Sequence, residues 1–186
     1  MTVSDGPGTG SREERMHMGG ISIFFPDEYL DSAYEIDFED YYQKGMRGVI
    51  FDIDNTLVPH GAPADERAVR LFDKLRRTGY RTMLLSNNSK PRVKSFAKET
   101  GTDYLYKAGK PKRAGYLQAM ECMETTKAST LFVGDQLFTD VWGARRCGIH
   151  AILVKPIHPK EEIQIVLKRY LERIVLYFYE RKMQKR

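Results

Sequence analysis

Four short apolar runs, each giving way to polar or charged residues, constrain this chain more than anything else in it. Gly48–Ile53, Tyr80–Ser86, Thr130–Val133 and Ile149–Val154 are nearly continuous rather than alternating. That is the pattern of strands covered on both faces. Segments with helical spacing lie between them. Asp65 is placed to cap a helix whose Ala68, Leu71, Phe72 and Leu75 share one face, with Gly79 as its stop. Ser89 opens another, with Val93, Phe96 and Ala97 inward and Gly101 at its end. Asp103–Lys107 reads as a short strand, Pro111 as a first-turn residue of a helix to about Met123, and Asp140–Cys147 as a helix closed by Gly148. Buried strands alternating with amphipathic helices predict an α/β fold: one Rossmann-like domain, a mostly parallel sheet with helices on both faces.

At 186 residues the chain can bury one core. We divide it into a flexible leader or expression remnant at 1–20, an acidic extension at 21–46, the strand–helix core at 47–157 and a basic amphipathic helix at 158–186. Two cysteines, Cys122 and Cys147, cannot build a disulfide framework or a four-cysteine zinc site. With no apolar leader core and no apolar run of about 20 residues, a cytoplasmic protein is expected, at most peripheral to the inner face of a membrane. Charge is uneven. Residues 1–45 hold three Lys/Arg against ten Asp/Glu, residues 46–159 nineteen against eleven, and residues 160–186 eight against four. A basic body and tail suit anionic partners.

In open α/β sheets, sites form at the carboxyl ends of strands. The polar residues found there are Asp52 and Asp54 after the first run, Ser86 after the second, Lys110 past the short strand and Asp135 after the third strong run. Asp140 follows on the Gly134–Asp140 turn. Four carboxylates in one crevice repel and need cations. Lys110 supplies one charge, and oxygen-only donors favour Mg²⁺ over zinc or copper. Such a site can bind and polarise a phosphoryl group. Asp52 and Asp54 are two apart on an extended segment, so both face one way. One carboxylate can attack phosphorus while the other handles the leaving-group and water protons.

At these residues the sequence resembles the haloacid dehalogenase (HAD) superfamily. The matching motifs are Asp52-Ile-Asp54-Asn-Thr56, Ser86 in Leu-Leu-Ser-Asn-Asn, Lys110 in Lys-Ala-Gly-Lys-Pro, and Gly134-Asp135 through Asp140. The resemblance spans residues 47–154. It implies Asp52 as nucleophile and metal ligand, and Asp54 as general acid/base that also ligates through its backbone carbonyl. Asp135 would bind Mg²⁺, with Asp140 and Thr56 in support, and Ser86, Lys110 and Asn87 would hold phosphoryl oxygens. An Asp at position 54 favours phosphatase over carbon–halogen chemistry. Only 34 residues separate Asp52 from Ser86 and 24 separate Ser86 from Lys110, leaving no room for a cap domain. That is similar to capless subclass III (IIIA). Phe25-Pro-Asp-Glu-Tyr29 and the basic terminal helix resemble the YqeG family, itself similar to mitochondrial phosphatidylglycerophosphate phosphatases.

The expected function is therefore a Mg²⁺-dependent phosphomonoesterase whose best substrate is phosphatidylglycerophosphate. A soluble nucleotide or sugar phosphate is the alternative substrate, and a non-catalytic regulatory module on the same fold is the alternative of another class. The C-terminal helix, from about Pro159 with Ile163, Val166, Leu167, Tyr170, Leu171, Ile174 and Phe178 at helical spacing, is expected to pack on the sheet and to meet a second copy or an anionic membrane. Nucleic acid is disfavoured, because Arg76-Arg77 and Arg145-Arg146 read as solvated helix faces. The four histidines make no metal spacing. Asn55–Ala64 reads as a flap, Trp142 as helix packing, and Met120 and Met123 as core.

Overall fold

A computed structural model describes residues 22–158 and 163–184, the side chains of 163–171 excepted. The expected leader, residues 1–20, lies outside the described residues. Six strands form one all-parallel sheet: β1 (Glu28–Leu30), β2 (Gly48–Phe51), β3 (Arg81–Leu85), β4 (Asp103–Leu105), β5 (Thr130–Gly134) and β6 (His150–Val154), ordered β1-β6-β5-β2-β3-β4. The described helices are α1 (Phe38–Gln43), α2 (Glu66–Thr78), α3 (Lys90–Thr100), α4 (Arg113–Cys122), α5 (Trp142–Arg146) and α6 (Ile163–Met183).

The strands read as continuous apolar runs because each feeds two cores. Val49, Phe51, Leu131, Val133, Ile152 and Val154 join Phe72 and Leu75 of α2 and Val93 and Phe96 of α3 in one core. Their alternates Ile50, Phe132, Ala151 and Leu153 join Tyr116 and Met120 of α4, Ala144 of α5 and Val175 of α6 in the other. This is the expected two-sided sheet. One helix and one strand (α2 and β3) separate Asp52 from Ser86, and another pair (α3 and β4) separates Ser86 from Lys110, without a cap domain.

Capping follows the sequence closely at α2. Asp65 accepts the Ala68 N–H at 2.8 Å, and Gly79 closes the helix at φ 101°, in the left-handed region that favours glycine. Elsewhere the ends shift. Ser89 is the extended residue before α3 but its side chain makes no capping bond. Pro111 stands outside the helix it was expected to open, since α4 starts at Arg113. The helix expected from Asp140 is preceded by a wide π turn, Leu137–Val141, in which the Val141 N–H reaches back to the Gln136 carbonyl at 3.2 Å.

The acidic segment 21–46 is more than an appendage. It supplies the edge strand β1, which pairs with β6, and places Ala33, Ile36, Phe38 and Tyr41 in the first core. No local pattern announced a three-residue strand. In α6, Val175 is buried while Ile174, expected on the packing stripe, is 45% exposed. The start of that helix at about Pro159 lies outside the described residues. Among the described residues no helix is long and apolar enough to cross a membrane.

Candidate active site

Because β5, β2, β3 and β4 are neighbours in order, the loops at their carboxyl ends meet over one stretch of sheet edge. There they frame a cleft of about 280 Å³ lined by Asp52, Asp54, Ser86, Asn87 and Lys110. Asn55, Asn88, His60, Gln136 and Thr139, which sequence reasoning did not select, complete the lining. Asp135 and Asp140 lie buried beside it.

Lys110 organises the floor. Its Nζ donates to Asp52 Oδ1 at 2.5 Å and to Asp140 Oδ1 at 2.7 Å, with all three side chains buried. Burial, opposed by Lys110 and reinforced by Asp140, pushes the Asp52 carboxyl up to about 6. Burial also opposes the Lys110 charge, but Asp140 and Asp52 outweigh it and hold the ammonium above its ordinary range. Carboxylate oxygens of Asp52, Asp135 and Asp140 lie within 4.8 Å of one another. Thr56 donates its hydroxyl to Asp135 Oδ1 at 3.2 Å.

Three buried carboxylates against one ammonium leave negative charge in excess. Asn55, which lines the cleft, has a buried Oδ1 without a hydrogen-bond partner among the described residues. Hard oxygen donors in negative excess fit a divalent cation of the Mg²⁺ type. The cluster takes in the Asp140 carboxylate, expected in a supporting position, while the Asp54 side chain is engaged elsewhere.

Asp54 sits in a cage of N–H donors. Its Oδ1 accepts the Gly61 backbone N–H at 2.7 Å and Arg92 Nη2 at 3.0 Å, and its Oδ2 accepts Asn88 Nδ2 at 3.1 Å. Burial works against its charge, but the Gly61 N–H and Arg92 prevail and hold the carboxyl below the usual carboxylate range. Without a cation, then, Asp54 is the ready carboxylate and Asp52 the reluctant one. Gly61 belongs to the loop expected as a flap. That loop is anchored by fully buried Leu57 and Val58, and its His60 reaches the cleft.

The remaining residues selected from the sequence, Ser86 and Asn87, follow the end of β3. Ser86 is buried, and its Oγ accepts the Asn88 N–H at 3.2 Å. Asn87 pairs with the Lys110 backbone, donating to its carbonyl at 3.1 Å and accepting its N–H at 2.7 Å. Asn87 thereby fixes Lys110, and its own side chain is engaged. Asn88 follows Ser86 by two at a strand end, so the rule that found Ser86 reaches it one step further. Arg92 carried no comparable signal, being one basic residue on a basic helix.

The sequence family described as haloacid dehalogenase-like hydrolase matches residues 60–148, which take in Ser86, Lys110, Asp135 and Asp140 and open downstream of Asp52 and Asp54. The chain is 36% identical over 161 residues to the probable phosphatase YqeG of Bacillus subtilis, covering 86% of this chain and 94% of that one. It is 30% identical over 168 residues to the chloroplastic/mitochondrial phosphatidylglycerophosphate phosphatase 1 of Arabidopsis thaliana, covering 81% of this chain and 45% of that protein. Among solved structures, an uncharacterized protein of Listeria monocytogenes shares the fold with a TM-score of 0.51 at 20% identity, over 63% of this chain and 85% of that one. A relationship that close, running along nearly the whole Bacillus protein, makes this chain a member of the haloacid dehalogenase-like hydrolases, in the YqeG family of phosphatases.

Proposed function

We propose that the chain hydrolyses a phosphomonoester with Mg²⁺ through an aspartyl-phosphate on Asp52, and that its substrate is a phospholipid monoester of the phosphatidylglycerophosphate type. The observation that carries the chemistry is the Asp52 carboxylate at the floor of an open cleft, salt-bridged to Lys110 and backed by Asp135 and Asp140.

In this reading the Ser86 hydroxyl, the Lys110 ammonium and the Asn87 backbone N–H hold the phosphoryl oxygens. An Asp52 oxygen bonds to phosphorus as the ester P–O bond breaks, and the proton on Asp54 passes to the leaving oxygen. Water then attacks phosphorus, Asp54 takes its proton, and Asp52 departs as carboxylate. A Mg²⁺ held by Asp52, Asp135 and the Asp54 carbonyl, with Asp140 and Thr56 behind, would neutralise phosphoryl charge and favour ionised Asp52. For Asp54 to carry a proton, one of its three N–H contacts must open. The Gly61 contact lies on the 55–64 loop, so movement of that loop links substrate entry to proton transfer.

The lipid assignment draws on the plant relative's name. It draws also on a cleft without a cap and on Ile174, Tyr177 and Met183, exposed on a helix whose end carries Arg181 and Lys182. A cytoplasmic enzyme that visits an anionic membrane surface fits these features. The test is a phosphate-release screen with Mg²⁺, using phospholipid monoesters in detergent beside nucleotides and sugar phosphates. We expect preference for the lipid, no activity in excess EDTA, and a loss of at least ~10³-fold in Asp52→Asn. Preference for a soluble ester overturns the lipid assignment, and near-normal turnover by Asp52→Asn overturns the mechanism.

A further inference from the structure

One buried acid lies far from the motifs. Glu172, on α6, is 7% exposed, and its Oε1 accepts the Leu137 backbone N–H at 2.9 Å, 35 residues away in sequence. Leu137 is the first residue of the π turn that carries Asp140, and Asp135 stands two residues before it. At the start of a helical segment the leading N–H groups lack partners within the helix and carry partial positive charge. Two carboxylates take consecutive ones here: Asp140 Oδ2 accepts from Gln136 at 3.1 Å, and Glu172 accepts from Leu137. Tyr116 braces the far side, donating its hydroxyl to the Thr139 carbonyl at 2.7 Å and the Asp140 carbonyl at 3.2 Å.

A helix that merely covers a sheet has no use for a carboxylate on its inner face, where desolvation is costly. Val175 and Tyr179, three and seven residues on, show what packing alone selects. Val175 is part of the second core and Tyr179 packs against it. Glu172 breaks that apolar pattern at the position facing the carboxylate turn.

We propose that Glu172 is a positioning residue for the divalent cation. By fixing the backbone at Leu137 it holds Asp135 and Asp140 in the arrangement that converges with Asp52, and it makes α6 a working part of the site. This rests on the reading of that cluster as the cation site, but not on phosphate chemistry.

The experiment uses the full chain and Mn²⁺ as probe, with binding followed by electron paramagnetic resonance, folding by circular dichroism, and phosphate release against Mg²⁺ concentration. Glu172→Leu removes the acceptor, whereas Glu172→Gln keeps an amide oxygen for the Leu137 N–H. Loss of groups that orient metal ligands weakens metal binding about 10- to 100-fold. Folded Glu172→Leu should therefore bind Mn²⁺ at least ~10-fold more weakly and need correspondingly more Mg²⁺ for turnover, while Glu172→Gln stays near the unaltered protein. If Glu172→Leu does not fold, Glu172→Asp, too short to reach Leu137, is compared with Glu172→Gln in the same way. Equal Mn²⁺ affinity in the folded variants overturns the proposal and leaves α6 as packing. The expected Mn²⁺ pattern in a protein that releases no phosphate from any ester sustains the proposal and overturns the phosphatase mechanism instead.

Discussion

Asp52 and Asp54 stand two residues apart and meet opposite electrostatics, and the contrast is measurable without substrate. Asp52 is pushed from 3.8 up to about 6, chiefly by burial. A raised folded-state value means its neutral form favours the fold: the contribution is complete below about 3.8 and is lost as pH rises through about 6. Asp54, lowered by the Gly61 N–H and Arg92 against its burial, stabilises above the ordinary carboxylate range and acts only as pH falls below it. Between pH 5 and 7 the Asp52 contribution therefore governs this pair. In EDTA the urea midpoint should be higher at pH 5 than at pH 7, and Asp52→Asn should remove that part of the difference. An unchanged difference in the variant would disprove the inverted poise. These two acids were legible because each lies at a strand end. The donors that set Asp54 were not: Gly61, Asn88 and Arg92 come from two loops and the first turn of α3, and they converge only in the fold.

Elements were legible where apolar continuity, a cap and a stop agreed, as in β2, α2 and β3. They were obscure at β1, whose three residues follow no periodic segment, and where two helical geometries follow each other, as in the π turn before α5. That turn lies against the end of β5 because residue 134 is glycine. A Cβ there would lie 2.5 Å from Asp140 Oδ2 and 2.7 Å from Asp140 Cβ. Gly134→Ala should push the turn away from the strand, costing about 1–3 kcal/mol through overcrowding. The displaced Asp140 should also weaken Mn²⁺ binding. Calorimetric unfolding and a Mn²⁺ titration check both effects, and a variant as stable and as tight as the unaltered protein would show that the turn yields freely. The Glu172 contact reaches the same turn from α6. Its signal in the sequence was an acid three residues before Val175 and seven before Tyr179, which an apolar-stripe reading passes over.

On the scale of the whole molecule, α6 joins the site to the basic end of the chain. Its inner side carries Glu172 and Val175, and its outer side exposes Ile174, Tyr177 and Met183. Removing the helix would strip the carboxylate turn of its Glu172 contact, so truncation cannot test the proposed membrane attachment apart from catalysis. Charge substitution can. Lys182 is best left in place, because its Nζ lies 5.6 Å from the centre of the Phe25 ring and contributes to packing. Arg181, with Lys185 and Arg186 beyond the described residues, can be changed to Gln together. A basic residue near an anionic surface is worth on the order of 1 kcal/mol, screened by salt, so losing three should weaken vesicle binding on the order of 100-fold at low ionic strength. Sedimentation with phosphatidylglycerol vesicles should show that loss, while hydrolysis of a soluble chromogenic phosphate stays unchanged, Arg181 not being among the residues that line the cleft. Equal sedimentation of both forms would mean that the exposed face of α6 serves contact with protein, and a parallel fall in soluble-substrate turnover would mean that the charges act on the fold rather than on the lipid.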